Sequence, residues 1–320
     1  MSKIVTIVGA TGIQGGSVIQ ALLNDTDYTV RAITRNRESE KAKALLERGV
    51  DVVEANLNDQ ESLQAAFAGS YAIFGVTNYF EAFPTMDKAQ SIAIEVQQGL
   101  NLAKAAAATE SLQHYIWSTL PNSRRVSDGK FVVPFYESKN QIDDYIRAHP
   151  TLLNKTTFLW VTFYANNINY PWYMPFSIPN SNPTKLYNIW ATPPSSISLK
   201  IAGDETVNVG LFAKSILEQP EKTLPGRFVL VATDDMTAGE FTAAWAQLQG
   251  KEVVHLQVNK DTYNNTWPIW GGTMDLSHMY AELTKDTGYS SEENVLTKED
   301  LGVTGLVDTK AAFAKMQSRD

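Results

Sequence analysis

Gly9, Gly12 and Gly15 fall three residues apart in the string V-G-A-T-G-I-Q-G-G-S-V, directly after the apolar run at residues 4–8. Glycine serves where a backbone turns sharply, where it comes close to a pyrophosphate, and where a helix lies tight on a strand. A G-x-x-G-x-x-G between strand and helix reads as a dinucleotide cradle, its phosphates held by the free N–H groups of a helix N-terminus. The end of the second strand selects the dinucleotide, because an acid there holds a ribose 2′-OH. This chain carries Thr34-Arg35-Asn36-Arg37 instead, with no acid before Glu38. The donor fork of Arg35, with Arg37 as its neighbour, suits a 2′-phosphate. NADP(H) is the expected cofactor.

Alternating elements must hold that loop and that arginine in place. Strand patterns at residues 3–8, 28–34, 51–54, 71–76, 113–118 and 156–163 alternate with helical patterns. The helices start near residue 12 and then cover 38–48, 59–67, 88–108 and 137–147. In the fourth of these five, Ile92, Val96, Leu100 and Ala103 form one apolar face. Parallel neighbours need long crossovers, so the pattern predicts an α/β fold, a Rossmann-like doubly wound parallel sheet. The texture changes after residue 164, where six prolines between 171 and 194 accompany Trp172, Tyr173, Phe176 and Trp190. Regular patterns return at 227–231, 238–248 and 252–258. The expected division is an NADP-binding domain at 1–164 and a smaller C-terminal α/β lobe at 165–320. That lobe covers the substrate side, and part of it rejoins the sheet.

Composition narrows the function classes. The 320 residues are 43% hydrophobic and 19% charged, with a net charge of -8 and no cysteine. An acidic balance argues against direct nucleic-acid binding. The lack of cysteine removes disulfides, thiolate nucleophiles and cysteine zinc sites. No apolar run nears the roughly 18 residues of a membrane span, and the run at 4–8 is too short for a signal-peptide core. A cytoplasmic protein is expected.

Five strings taken in order carry a resemblance. They are G-A-T-G-I-Q-G-G-S-V, R-A-I-T-R-N, I-F-G-V-T-N-Y-F-E, Y-I-W-S-T-L and F-Y-E-S-K-N-Q-I-D-D-Y-I-R. Over about the first 165 residues the chain resembles the NmrA-like family of atypical short-chain dehydrogenase/reductases, its fungal members most of all. V-T-F-Y-A-N-N-I near residues 161–168 extends the likeness loosely. The resemblance implies that Gly9, Thr11, Gly12, Ile13, Gln14 and Gly15 wrap the pyrophosphate, and that Thr34 and Arg35 meet the adenosine ribose phosphate. Asn56 and Leu57 would border the adenine, and Val76, Thr77 and Asn78 would line the path to the nicotinamide. Ser118 and Thr119 would lie beside the nicotinamide, Lys139 would bond its ribose, and Phe163, Tyr164 and Asn166 would close the pocket. Family members divide between redox-sensing regulators and reductases.

The proton donor is where the usual pattern breaks. Ordinary short-chain reductases use Y-x-x-x-K, in which the lysine lowers the tyrosine pKa and anchors the ribose. Four residues before Lys139 stands Phe135, which has no proton to give; Tyr136 is one position out of register. Lys139 then either exchanges the proton itself or only fixes the ribose. Tyr136, Ser118 and Tyr164 are further donors.

Other constellations carry less. His114, His149, His255 and His278 show no metal-ligand spacing, and structural or surface roles are expected for all four. Asp143 and Asp144 read as helix surface. Trp172, Tyr173, Phe176, Trp267 and Trp270 suit equally a pocket for a flat substrate and an ordinary core. Two functions stay open. One is an NADPH-dependent reductase that passes hydride to a small organic acceptor such as a quinone, enone or ketone. The other is a non-catalytic NADP(H) sensor acting on a regulatory protein partner.

Overall fold

The structure, a computed structural model, describes residues 2–292 and 295–318. Eleven strands are found among them: β1 (Lys3–Ile7), β2 (Tyr28–Thr34), β3 (Asp51–Glu54), β4 (Ala72–Gly75), β5 (His114–Thr119), β6 (Thr156–Val161), β7 (Lys185–Trp190), β8 (Ser198–Ile201), β9 (Arg227–Val231), β10 (Asp234–Thr237) and β11 (Glu252–Gln257). Seven pair in the order β3-β2-β1-β4-β5-β6-β9, all parallel. The order reverses between β1 and β4, and ligands of such sheets bind at that crevice, beyond the strand carboxyl ends. Two small ribbons, antiparallel β8–β10 and parallel β7–β11, belong to the later half.

Both sheet faces are covered, which is why the strands read as near-continuous apolar runs. On one face Val5, Ile7 and Val229 join Val18, Ile19, Val209 and Phe212 in a single cluster. The helix Glu205–Glu218 packs there on Ile13–Leu22, and Gly210 N donates to Ser17 Oγ at 2.8 Å. On the other face Ile73, Trp117 and Trp160 meet Leu63, Leu102, Ala106, Ile142 and Ile146. The last strand is stitched by aromatic rings: Phe228 stacks on Phe158 with centroids 4.6 Å apart, and Arg147 lies over both rings. Such ring pairs add about 0.5–1.5 kcal/mol beyond area burial.

Two helices set the site, and one corrects the sequence reading. Lys88–Ala107 opens on a capping box of Asp87 and Gln90. Its fully buried stripe is Ser91, Glu95, Gly99, Leu102 and Ala106, whereas Ile92, Val96 and Leu100 are only half-buried. Three of the four predicted positions were one residue out, while Ala103 is buried as expected. The reason is close packing against Pro134–Arg147: a Cβ on Gly99 would stand 2.0 Å from Ile142 Cδ1. Pro134 at the first helical position and Glu137 in the first turn start that second helix. Its inward residues Ser138, Lys139, Ile142, Asp143 and Ile146 lie on one face. One turn before the Gly99–Ile142 contact, Glu95 comes to face Lys139.

Candidate functional site

The glycine loop fits phosphates for steric and electrical reasons. A Cβ on Gly15 would meet Gly9 O at 2.3 Å and Gly9 C at 2.6 Å. The helix Ile13–Leu22 has Gly12 as its N-cap, so no capping side chain covers its first N–H groups. The loop is one end of a cavity of about 1030 Å³ running over the carboxyl ends of β1, β2, β4, β5 and β6. Arg35 at the β2 end lines it and is paired with Glu81, both side chains more than half exposed. Such surface pairs are worth only about 0–1 kcal/mol, so a competing anion displaces Glu81 at small cost.

The wall gathers Thr11, Ile13, Thr34, Asn56, Leu57, Val76, Asn78 and Phe163 with the glycines, Ser118, Thr119 and Lys139. Asn166 is the exception among the candidates. The 3-10 turn Ala165–Asn169 turns it aside, its Oδ1 accepts from Asn169 Nδ2 at 2.6 Å, and Asn167 takes the place on the wall. Ser118 Oγ donates to Gln14 Oε1 at 2.7 Å, and Gln14 Nε2 donates to Tyr164 Oη at 2.7 Å. Gln14 thus bridges the ends of β5 and β6. Burial pushes the Tyr164 phenol up.

Lys139 is held from behind. Its Nζ donates to Thr77 O at 3.0 Å and Thr77 Oγ1 at 3.1 Å, and lies 3.1 Å from Glu95 Oε1. It also sits 5.5 Å above the Trp117 ring. Glu95, which nothing in the sequence singled out, is 1% exposed. Tyr136 lines the same cavity, its phenol hydrogen-bonded to that of Tyr289, which lines it too, and burial pushes the Tyr136 pKa well up. Its ring packs edge-on against Phe135 and Tyr280.

Asp143 corrects a second expectation. Asp144 is exposed as expected, but Asp143 is buried; it accepts from Trp117 Nε1 at 2.8 Å and Thr119 Oγ1 at 2.9 Å. Burial pushes its carboxyl up to about 7 from an ordinary 3.8, against those donors. Between the two values the folded chain holds a proton that the unfolded chain has released, so this group's contribution to stability falls as pH rises from about 4 to about 7. Asp143→Asn is expected to flatten that slope by roughly 2 kcal/mol relative to the parent chain. Urea unfolding of both proteins at about pH 4.5 and about pH 7 checks it; parallel slopes would sink the assignment.

Beyond Lys139 the cavity wall becomes aromatic, with Phe80, Phe135, Trp172, Tyr173 and Trp270. Trp172 stacks on Trp270 with centroids 4.9 Å apart. Phe176 and Trp267, expected with them, lie off this wall: Phe176 pairs its backbone with Tyr187, and Trp267 packs into the core behind. His278 lines the wall, its Nε2 2.9 Å from the Tyr173 hydroxyl, and burial lowers its pKa to about 3. It is therefore neutral at any ordinary pH. No spacing signal near residue 278 pointed to the cavity, because the contact comes from a helix more than 100 residues after Tyr173. Among the described residues no cluster of three His, Asp or Glu could hold a metal, and no helix is long and apolar enough to cross a membrane.

A profile of the NmrA-like family matches residues 1–311. The chain belongs to that family. It is 27% identical over 320 residues to an NmrA-like family domain-containing protein of Dictyostelium discoideum, covering 92% of this chain and 99% of the relative. An NmrA-like family domain-containing oxidoreductase of Aspergillus hancockii is 35% identical over 168 residues, 52% of this chain and 48% of that one. That match thus spans about half of the oxidoreductase's length. Two solved structures share the NmrA-like fold. The negative transcriptional regulator NmrA in complex with NADP has a TM-score of 0.66 at 20% identity, covering 99% of this chain and 91% of its own. Citrobacter sp. triphenylmethane reductase complexed with NADP(H) has a TM-score of 0.67 at 24% identity, covering 98% and 99%.

Proposed function

We propose that this chain is an NADP(H)-dependent oxidoreductase that reduces a small organic acceptor, a quinone, enone or ketone. One observation carries the reading. The cavity that starts at the glycine loop and Arg35 continues past Lys139 into an aromatic-walled recess, which leaves room for a second, flat molecule. When bound, NADPH supplies a hydride. Gly9 to Gly15 hold the pyrophosphate, Arg35 the 2′-phosphate, and Asn56 and Leu57 border the adenine. Lys139 directs an N–H toward the ribose or the acceptor oxygen, and the aromatic wall orients the acceptor and keeps out water.

A sensor that only binds the dinucleotide is the second reading. Its support is Phe135, which puts a ring without a proton in the register of the usual tyrosine, together with the engagement of Tyr136 by Tyr289. Titration with NADP, NADPH, NAD and NADH, followed by NADPH absorbance against quinones, enones and ketones, separates the two. Turnover of any acceptor supports the reductase; equal tight binding of both redox forms without turnover supports the sensor.

Arg35 carries its own prediction. Arg35→Ala removes charge-assisted hydrogen bonds worth about 1.5–3 kcal/mol, so NADPH affinity falls roughly 10- to 100-fold. NADH affinity, measured by the same fluorescence titration, stays within about twofold. Equal losses for both would remove Arg35 from the 2′-phosphate role.

A further inference from the structure

We propose that Glu95 is a proton relay, joining Lys139 to a second cavity behind the site; the idea rests on the reductase reading. This second cavity, of about 160 Å³, shares the wall of residues 78, 79, 81 and 98 with the large one and has room for several waters. Ser91, Ile94, Glu95 and Gln98 line it, and the exposed Asn78 and Glu81 stand at its rim. Lys139 lines the large cavity and not the small one. Glu95 lines the small cavity and not the large one. Their 3.1 Å ion pair therefore links the two spaces through the protein interior, beside the wall residues that they share.

Bonding at Glu95 suits a relay. Oε1 faces Lys139 and accepts from Thr77 Oγ1 at 2.7 Å, while Oε2 accepts from the Ser138 hydroxyl. A buried ion pair is a poor way to gain stability, since desolvation offsets the attraction. A role in chemistry accounts for it better.

Reduction by hydride leaves an anionic oxygen or enolate that must gain one proton. The rings of Phe80, Phe135 and Trp270 on that wall have no acidic proton to give. In the relay, an N–H bond of the Lys139 ammonium breaks as the product O–H or C–H forms, leaving a neutral amine. Glu95 then faces a neutral amine in place of a cation. It takes a proton from water in the second cavity, and its O–H breaks as the lysine N–H forms again. One solvent proton is consumed per hydride. Besides Lys139, the titratable groups close to Glu95 are Tyr79 and Glu81, which share its cavity.

Glu95→Gln keeps the size and loses the relay. Its kcat is expected to fall at least about 10-fold, with KM and NADPH affinity within about twofold. Glu95→Ala is expected to fall equally and to regain rate with added formate, small enough for the second cavity, but not with chloride. In the cofactor-free protein, acetic anhydride labelling of Lys139, followed by peptide mass spectrometry across pH, should rise at neutral pH in Glu95→Gln. An active parent chain with unchanged kcat in Glu95→Gln, or a Glu95→Ala loss that formate leaves untouched, overturns the relay alone. Unchanged Lys139 labelling overturns it without reference to turnover. A parent chain inert toward every acceptor overturns the reductase reading and takes the relay with it.

Discussion

Gly15→Ala is expected to lose dinucleotide binding, with NADPH affinity reduced roughly 100-fold or more, about 3 kcal/mol. The clash is with backbone, not with a side chain that could swing away: the new Cβ would sit 2.3 Å from Gly9 O, 2.6 Å from Gly9 C and 2.9 Å from Ala10 N. Relief requires the β1 end and the helix start to move apart. That shift misaims the N–H groups on which the phosphates depend. Overpacking of this kind also costs about 1–3 kcal/mol of fold stability. The neighbouring Gly16→Ala is the control, because its nearest atom is Ala10 O at an ordinary 3.8 Å. It should bind NADPH normally and gain up to about 1 kcal/mol from better helix propensity. Calorimetric titration and denaturant unfolding of both variants check the pair. Normal NADPH binding by Gly15→Ala would remove the loop from the phosphate site.

Lys139→Met should be severe in two separable ways. Turnover should fall by about 10²–10⁴, the usual contribution of a positioned proton donor. Stability should fall by roughly 3–5 kcal/mol, because Glu95 keeps Thr77 and Ser138 but loses the one ion-pair cation it has among the described residues. Lys139→Met combined with Glu95→Gln removes the stranded charge. That double variant should recover most of the stability and none of the turnover. A single variant that stays fully active while folded would end the case for Lys139 in catalysis. Recovery of both properties in the double variant would mean that the lysine only neutralises Glu95.

The sheet was legible because its strands are short and rich in β-branched and aromatic residues, and because buried parallel strands need no polar face. The tight turn of the glycine loop was legible for a similar reason: only backbone demands put Gly9, Gly12 and Gly15 in that spacing. Glu95 was not. A lone glutamate in an alanine-rich helix looks solvated, and the larger residues Ile92, Val96 and Leu100 drew the predicted face toward themselves. Helices in close contact want small residues between them, so Ser91 and Gly99 turned inward and carried Glu95, which lies between them on the same stripe, toward Lys139. Asp143 was misread in the same manner, since its partners Trp117 and Thr119 arrive from β5. His278 and Tyr173 meet only through the packing of the later half, where proline-rich sequence carries little periodicity.

The position of β9 bears on how the molecule can be divided. The strand comes from beyond residue 220, yet it completes the sheet beside β6, and its Val229 and Val231 share a core with Val5 and Ile7 of β1. A chain cut after β6 would present a bare strand edge to solvent and strip the β1 face of Val209, Phe212 and Ile216. The two halves of the chain are thus not exchangeable modules. They share one sheet and one core, so a dinucleotide that binds the glycine loop is expected to shift the unfolding of both halves together.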